Sequence, residues 1–153
     1  MSATALVQAS VHCRLEYCNS LLIGAADVHF KRLQLVQNAA PRLVSGAHHH
    51  DHITLVLTTL HWLPVHKRVV FKTVKLVWKC LNGTAPGYLS ELCVPVAPAS
   101  GHEHLRSASM GVLQVPRAQI PIGRWSFAVA GPFLWNSLPA ALRRPEMTLH
   151  TFK

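Results

Sequence analysis

Acidic side chains are what this sequence has least of. Asp and Glu together number 6 in 153 residues, against 15 Lys and Arg, which leaves a formal net charge of +9 and a pI near 10.0. An imbalance of that sign favours a nucleic acid or another polyanion as partner. The two aspartates, Asp27 and Asp51, stand far apart, so the paired carboxylates of a two-metal phosphoryl-transfer site are missing. No run of about 18 apolar residues is long enough for a membrane span. The N-terminus lacks the basic start and apolar block of a secretory signal. No CxxC pair or other usual zinc spacing occurs, so Cys13, Cys18, Cys80 and Cys93 read as free thiols in a reducing compartment. These absences together predict an intracellular chain, nuclear or cytoplasmic, that is not secreted, has no membrane partner and needs no metal or cofactor.

Half of the residues are apolar, which argues against global disorder, although much of that half is alanine and adds little burial. The length fits one domain or a domain with a tail, able to bury about two-thirds of its unfolded surface. The expected fold is mainly α, a small irregular helical bundle with a short β-hairpin in the C-terminal third.

The strongest local signal runs from Leu60 to Gly83. Pro64 suits the first turn of a helix, and Asn82-Gly83 supplies a left-handed stop, so a helix is predicted over Val65 to Leu81. Val70, Val74, Val77 and Leu81, with Phe71 and Trp78 alongside, mark its buried face. Arg68, Lys72, Lys75 and Lys79 repeat two residues out of phase, and Lys67 lies beside them. A solubilising face ordinarily mixes signs, yet no acidic residue lies between Asp51 and Glu91. At about 1.5 Å rise per residue the four charges from Arg68 to Lys79 span roughly 16 Å, enough to follow several phosphates of a nucleic-acid strand.

Around that helix the sequence predicts a first, mostly buried helix over Ala3 to Ile23. A second begins at an Asp27 cap and ends at Ser45-Gly46, with Pro41 inside it at a cost of about 3 kcal/mol or a kink. Thr54 is read as the cap of a short turn to Leu60. A brief helix is expected around Tyr88 to Leu92. Pro95, Pro98, Ser100 and Gly101 suggest a linker, giving a helical domain over 1–93, a Pro/Ser/Gly linker over 94–110 and a third part over 111–153. In that last part Gly111–Val115 and Gln119–Ile122 are the hairpin strands. Trp125 to Leu138 is a helix bent at Gly131-Pro132, with Phe127, Ala130, Leu134 and Trp135 inward. Thr148 is read as the cap of one more helix, cut short at Lys153.

LEYCNSLL (Leu15 to Leu22), KRLQLVQNAAPRLV (Lys31 to Val44), DHIT (Asp51 to Thr54), LHWLPVHKR (Leu60 to Arg68), APGYLSEL (Ala85 to Leu92), LQVPRA (Leu113 to Ala118) and FLWNSLP (Phe133 to Pro139) occur in this order. The series resembles the C-terminal, thumb-side region of reverse transcriptases from non-LTR retrotransposons of the chicken-repeat and jockey kind, from about Leu6 to Lys153. The resemblance implies a scaffold that faces nucleic acid. It also implies an absence of catalysis, because the family's polymerase carboxylates and its endonuclease lie outside the matched region. Pro41, where the family tends to carry alanine, and the histidines before DHIT depart from the pattern and fit an inactive copy.

Three other constellations are weaker. His48, His49, His50, Asp51 and His52 carry metal-ligating groups, but adjacent loop histidines rarely converge on one ion and no HExxH spacing is present. Cys13 beside His12, or Cys80 beside the basic stripe, could be imagined as activated thiols, yet no supporting acid and base pair is legible. Of Trp62, Trp78, Trp125 and Trp135, only Trp62 is open to a role other than core packing, at a helix entrance where it could staple the turn or stack on a base.

The function expected from the sequence is therefore non-catalytic, sequence-independent RNA or DNA backbone binding through Lys67, Arg68, Lys72, Lys75 and Lys79, with a salt slope of about −4 to −5 for five phosphate contacts. The alternative is a protein-interaction fragment with exposed apolar faces, or an unselected product with no defined activity.

Overall fold

The computed structural model describes residues 3–48, 50–96 and 111–143. His49, the heart of the expected linker, and the Thr148 cap lie outside them. The chain is mainly helical and divides into two compact units, Met1–Val70 and Phe71–Lys153.

In the first unit, α1 (Ala3–Val7) leads through one wider, π-helical turn at Gln8–His12 into α2 (Cys13–Glu16). The single helix expected from Ala3 to Ile23 is broken. Tyr17 is extended and Cys18 sits in the left-handed region at φ 49°, before a 3-10 turn over Asn19–Leu22. A non-glycine residue rarely takes that conformation, and apolar spacing gives no warning of it. The segment is also far from buried, since Leu6, Tyr17 and Leu21 are exposed.

α3 (Asp27–Ser45) starts one residue off the expected cap. Ala26 holds the cap position and Asp27 lies in the first turn, where its carboxylate faces the positive end of the helix dipole. Gly46, at φ 67°, ends the helix by donating its N–H to the Arg42 carbonyl. Pro41 does not interrupt it. Pro41 and Ala40 are buried, and Ser45 Oγ donates to the Pro41 carbonyl at 2.8 Å, so packing of this face offsets the one missing backbone bond. α4 (Ile53–Thr59) is preceded by His52 at the cap position, with Thr54 inside the helix rather than capping it. Ala40, Leu57 and Trp62 form the local core, with Val7, Val11, Ile53 and Leu60 packed on it.

α5 runs from Val65 to Leu81, the span that Pro64 and Asn82-Gly83 predict. Its first N–H groups have no intrahelical partner. α3 supplies one: Gln34 Oε1 accepts from the Val65 N–H at 2.9 Å, while the wholly buried Gln37 donates from Nε2 to the Leu63 carbonyl at 2.8 Å. At the far end Thr84 N–H returns to the Lys79 carbonyl and Gly83 takes φ 66°, which closes the helix. The boundary between the units falls inside α5, so Val65 and Val69 are buried in the first unit and Thr73, Val74, Val77, Trp78 and Cys80 in the second. The buried face therefore includes Val69, Thr73 and Cys80, while Leu81, expected to be inward, is exposed.

In the second unit α6 (Gly87–Ser90) is a single turn, and α7 (Phe127–Asn136) continues through Pro132 with Ala130, Gly131, Pro132 and Trp135 buried. A Cβ on Gly131 would lie 3.1 Å from Val77 Cγ2, so glycine sets the close approach of α7 to α5. The β-hairpin is not formed, and no strand occurs among the described residues. Residues 121–125 wind into a 3-10 turn instead. Leu113 pairs with Pro95 in one isolated antiparallel bridge, with Val96 N–H donating to Val112 O at 3.1 Å and Gln114 N–H to Val94 O at 2.8 Å. Residues 94–96, where the linker was expected to begin, thus belong to the same unit as the C-terminal third. Asn136 completes the arrangement in the manner of a neighbouring strand, accepting from Leu113 N–H at Oδ1 (2.9 Å) and donating from Nδ2 to Leu113 O (2.8 Å).

Candidate nucleic-acid interface

α5 turns by about 100° per residue, so Lys72, Lys75 and Lys79 fall within one 60° sector on the side away from Thr73, Val77 and Cys80. Lys72 is exposed, and Lys75 and Lys79 are half-buried. A lysine of the latter kind covers apolar surface with its methylene stem while the ammonium remains hydrated. These three residues belong to the second unit. Lys67, in the first, is exposed and lies about 100° around the helix from Arg68.

Arg68 is set apart from the lysines. Its Nη1 donates to Glu16 Oε1 at 2.6 Å, its Nε donates to the Leu63 carbonyl at 2.9 Å, and its side chain is only 11% exposed. The guanidinium joins α5 to α2 and to the turn before α5. Its partner Glu16 is 52 positions away in the chain, a pairing that helical periodicity cannot reveal.

Beside it, His12 is buried with its ring edge-on to Trp62 at 4.0 Å between centroids, and its Nδ1 lies 3.4 Å from Arg68 Nη2. Nε2 is buried and has no hydrogen-bond partner among the described residues. Burial first, and then the Arg68 charge, hold the imidazole below its ordinary value of 6.5, against a smaller opposing pull from Glu16. A histidine kept neutral in the fold while the unfolded chain takes up a proton destabilises the fold as pH falls through and below 6.5. The urea midpoint of the chain is therefore expected to drop between pH 7.5 and pH 5, and His12→Gln is expected to flatten that drop. An equal fall in the variant assigns the acid sensitivity elsewhere.

The remaining sequence candidates are not assembled into sites. Asp51 closes a turn, its Oδ2 accepting the His48 N–H at 2.7 Å, and the described residues hold no group of three or more His, Cys, Asp or Glu placed to bind a metal. Cys13 and Cys18 are exposed. The tryptophans reverse the expectation, since Trp62 is 6% exposed and belongs to the core, whereas Trp125, at the end of a 3-10 turn, is 49% exposed. A cleft of about 320 Å³ in the first unit is lined by Gln34, Asn38, Thr54, Leu57 and Trp62 among others. Gln34 is already engaged there, with Oε1 accepting from Val65 N–H and Nε2 donating to Gln37 and Asn38.

No protein-family model, no curated protein and no solved structure matches this chain. Among the described residues no helix is long and apolar enough to cross a membrane.

Proposed function

We propose that the chain is a non-catalytic relative of the thumb-side region of non-LTR reverse transcriptases, and that it binds the RNA or DNA backbone weakly and without sequence preference. The observation that carries this reading is the placement of Lys72, Lys75 and Lys79 along one side of a helix whose opposite side is buried, in a stretch free of acidic residues from position 52 to 90. Lys67 adds a further charge on the same helix. Arg68 contributes to the fold through Glu16 and is not counted among the phosphate contacts. The three lysine contacts of the second unit predict a log–log salt slope of about −2.7 on duplex DNA and about −2.1 on a single strand. Fluorescence anisotropy of a labelled oligonucleotide titrated at several salt concentrations measures it.

A second reading has an observation of its own. Val28, Leu35, Val36 and Leu43 recur along the side of α3 opposite Gln37 and Pro41, and all four are exposed. Such a stripe suits contact with another protein. An affinity for nucleic acid that does not change with salt removes the first reading and leaves this one.

A further inference from the structure

The last turn of α5 and the turn that follows α6 bring two thiols together. Cys80 and Cys93 are both buried, both are unoxidised, and a side-chain hydrogen bond joins them; Ser90 also bonds the Cys80 sulfur. Between them the chain is short and largely at the surface, with Asn82, Gly83, Thr84, Pro86, Gly87 and Tyr88 exposed and only the single turn of α6 as regular structure. A segment with so few buried contacts opens locally at a small fraction of the free energy of global unfolding.

We propose that Cys80 and Cys93 are a disulfide-forming pair, oxidised by a low-molecular-weight disulfide of the glutathione type, which staples the end of α5 to the segment that enters the Pro95–Leu113 bridge. The sequence offers no CxxC pattern for this, because the two residues meet through the fold rather than through spacing.

The chemistry balances with that oxidant alone. Deprotonated Cys80 Sγ attacks one sulfur of the glutathione disulfide, whose S–S bond breaks and releases a glutathione thiolate that takes a proton. Deprotonated Cys93 Sγ then attacks the Cys80 sulfur of the mixed disulfide and expels the second glutathione, which is protonated in turn. The two protein thiols lose two electrons and two protons, and the oxidant is reduced to two glutathione thiols. In the closed fold burial raises both thiols, Cys93 to about 12 with the neighbouring Cys80 adding to it, and once the segment opens the two attacks can occur in either order. Only the thiolate reacts, so the closed fold protects the pair and oxidation proceeds through the opened segment.

The test uses the full chain with Cys13→Ser and Cys18→Ser, which removes the two exposed thiols. Incubation with oxidised glutathione is expected to lower the mass by two hydrogens, to link the Cys80 and Cys93 peptides in a digest, and to raise Tm by roughly 5–10 °C, reversibly on reduction. Adding Cys93→Ser is expected to trap a glutathione adduct on Cys80. Three results each overturn the proposal: stable glutathione adducts on both cysteines without the internal bond, no reaction of the folded chain where the urea-unfolded chain reacts, or an internal disulfide that lowers Tm.

Discussion

The triple variant Lys72→Glu/Lys75→Glu/Lys79→Glu is expected to bind RNA or DNA on the order of 100-fold more weakly than the parent chain at 0.15 M salt. Releasing the counterions of one phosphate is worth roughly fivefold in affinity at that concentration, and three contacts multiply. The salt slope on duplex DNA should become shallower by about 2.7. All three side chains lie on the outward sector of α5 and none is fully buried, so the helix should survive the change, which circular dichroism checks. Arg68→Gln is the informative contrast. It breaks the bond to Glu16 and should lower the unfolding midpoint while leaving the slope nearly unchanged, because that guanidinium is held inside the first unit. A triple variant that binds as tightly as the parent removes backbone recognition by α5, whatever the chain's ancestry.

The division of labour between Arg68 and the lysines shows what was and was not legible in the sequence. The ends of α5 and the end of α3 were readable because Pro64, Gly83 and Gly46 act through their own backbone preferences, which local sequence states directly. The mainly helical class followed from apolar spacing for the same reason. What failed was non-local. Gln34 and Gln37 of α3 secure the start of α5, Glu16 holds Arg68, and Asn136 takes the place of a strand beside Leu113. Each joins residues more than 20 positions apart, and no periodicity encodes the pairing. The expected hairpin failed on that account too: residues 111–115 do make antiparallel backbone bonds, but with Val94 and Val96 rather than with the nearer Gln119–Ile122. Trp62 and Trp125 were exchanged because local context cannot say which tryptophan the fold covers.

Trp135→Ala is expected to destabilise the second unit by about 3–5 kcal/mol, a large part of the 5–15 kcal/mol that holds a typical domain together. The indole is 2% exposed, so truncation leaves a cavity that the surrounding helices cannot close fully. It also releases the Gly111 carbonyl, to which Trp135 Nε1 donates at 2.9 Å. That carbonyl belongs to a glycine at φ 62° whose added Cβ would stand 2.5 Å from the Arg143 carbonyl oxygen, so the turn has little room to shift and recover a partner. Trp135→Phe separates the two contributions, since it keeps most of the volume and loses the N–H, and about 1–3 kcal/mol is expected from the unsatisfied carbonyl together with the smaller ring. Hydrogen exchange gives a local readout beside the urea midpoint. In both variants the amides of Leu113 and Gln114 should exchange faster, because their acceptors, Asn136 Oδ1 and the Val94 carbonyl, stay aligned only while Trp135 fixes Gly111 and the end of α7 together. A Trp135→Ala chain that unfolds within about 1 kcal/mol of the parent, with those amides still protected, would show that the bridge and Asn136 hold the C-terminal segment without the indole.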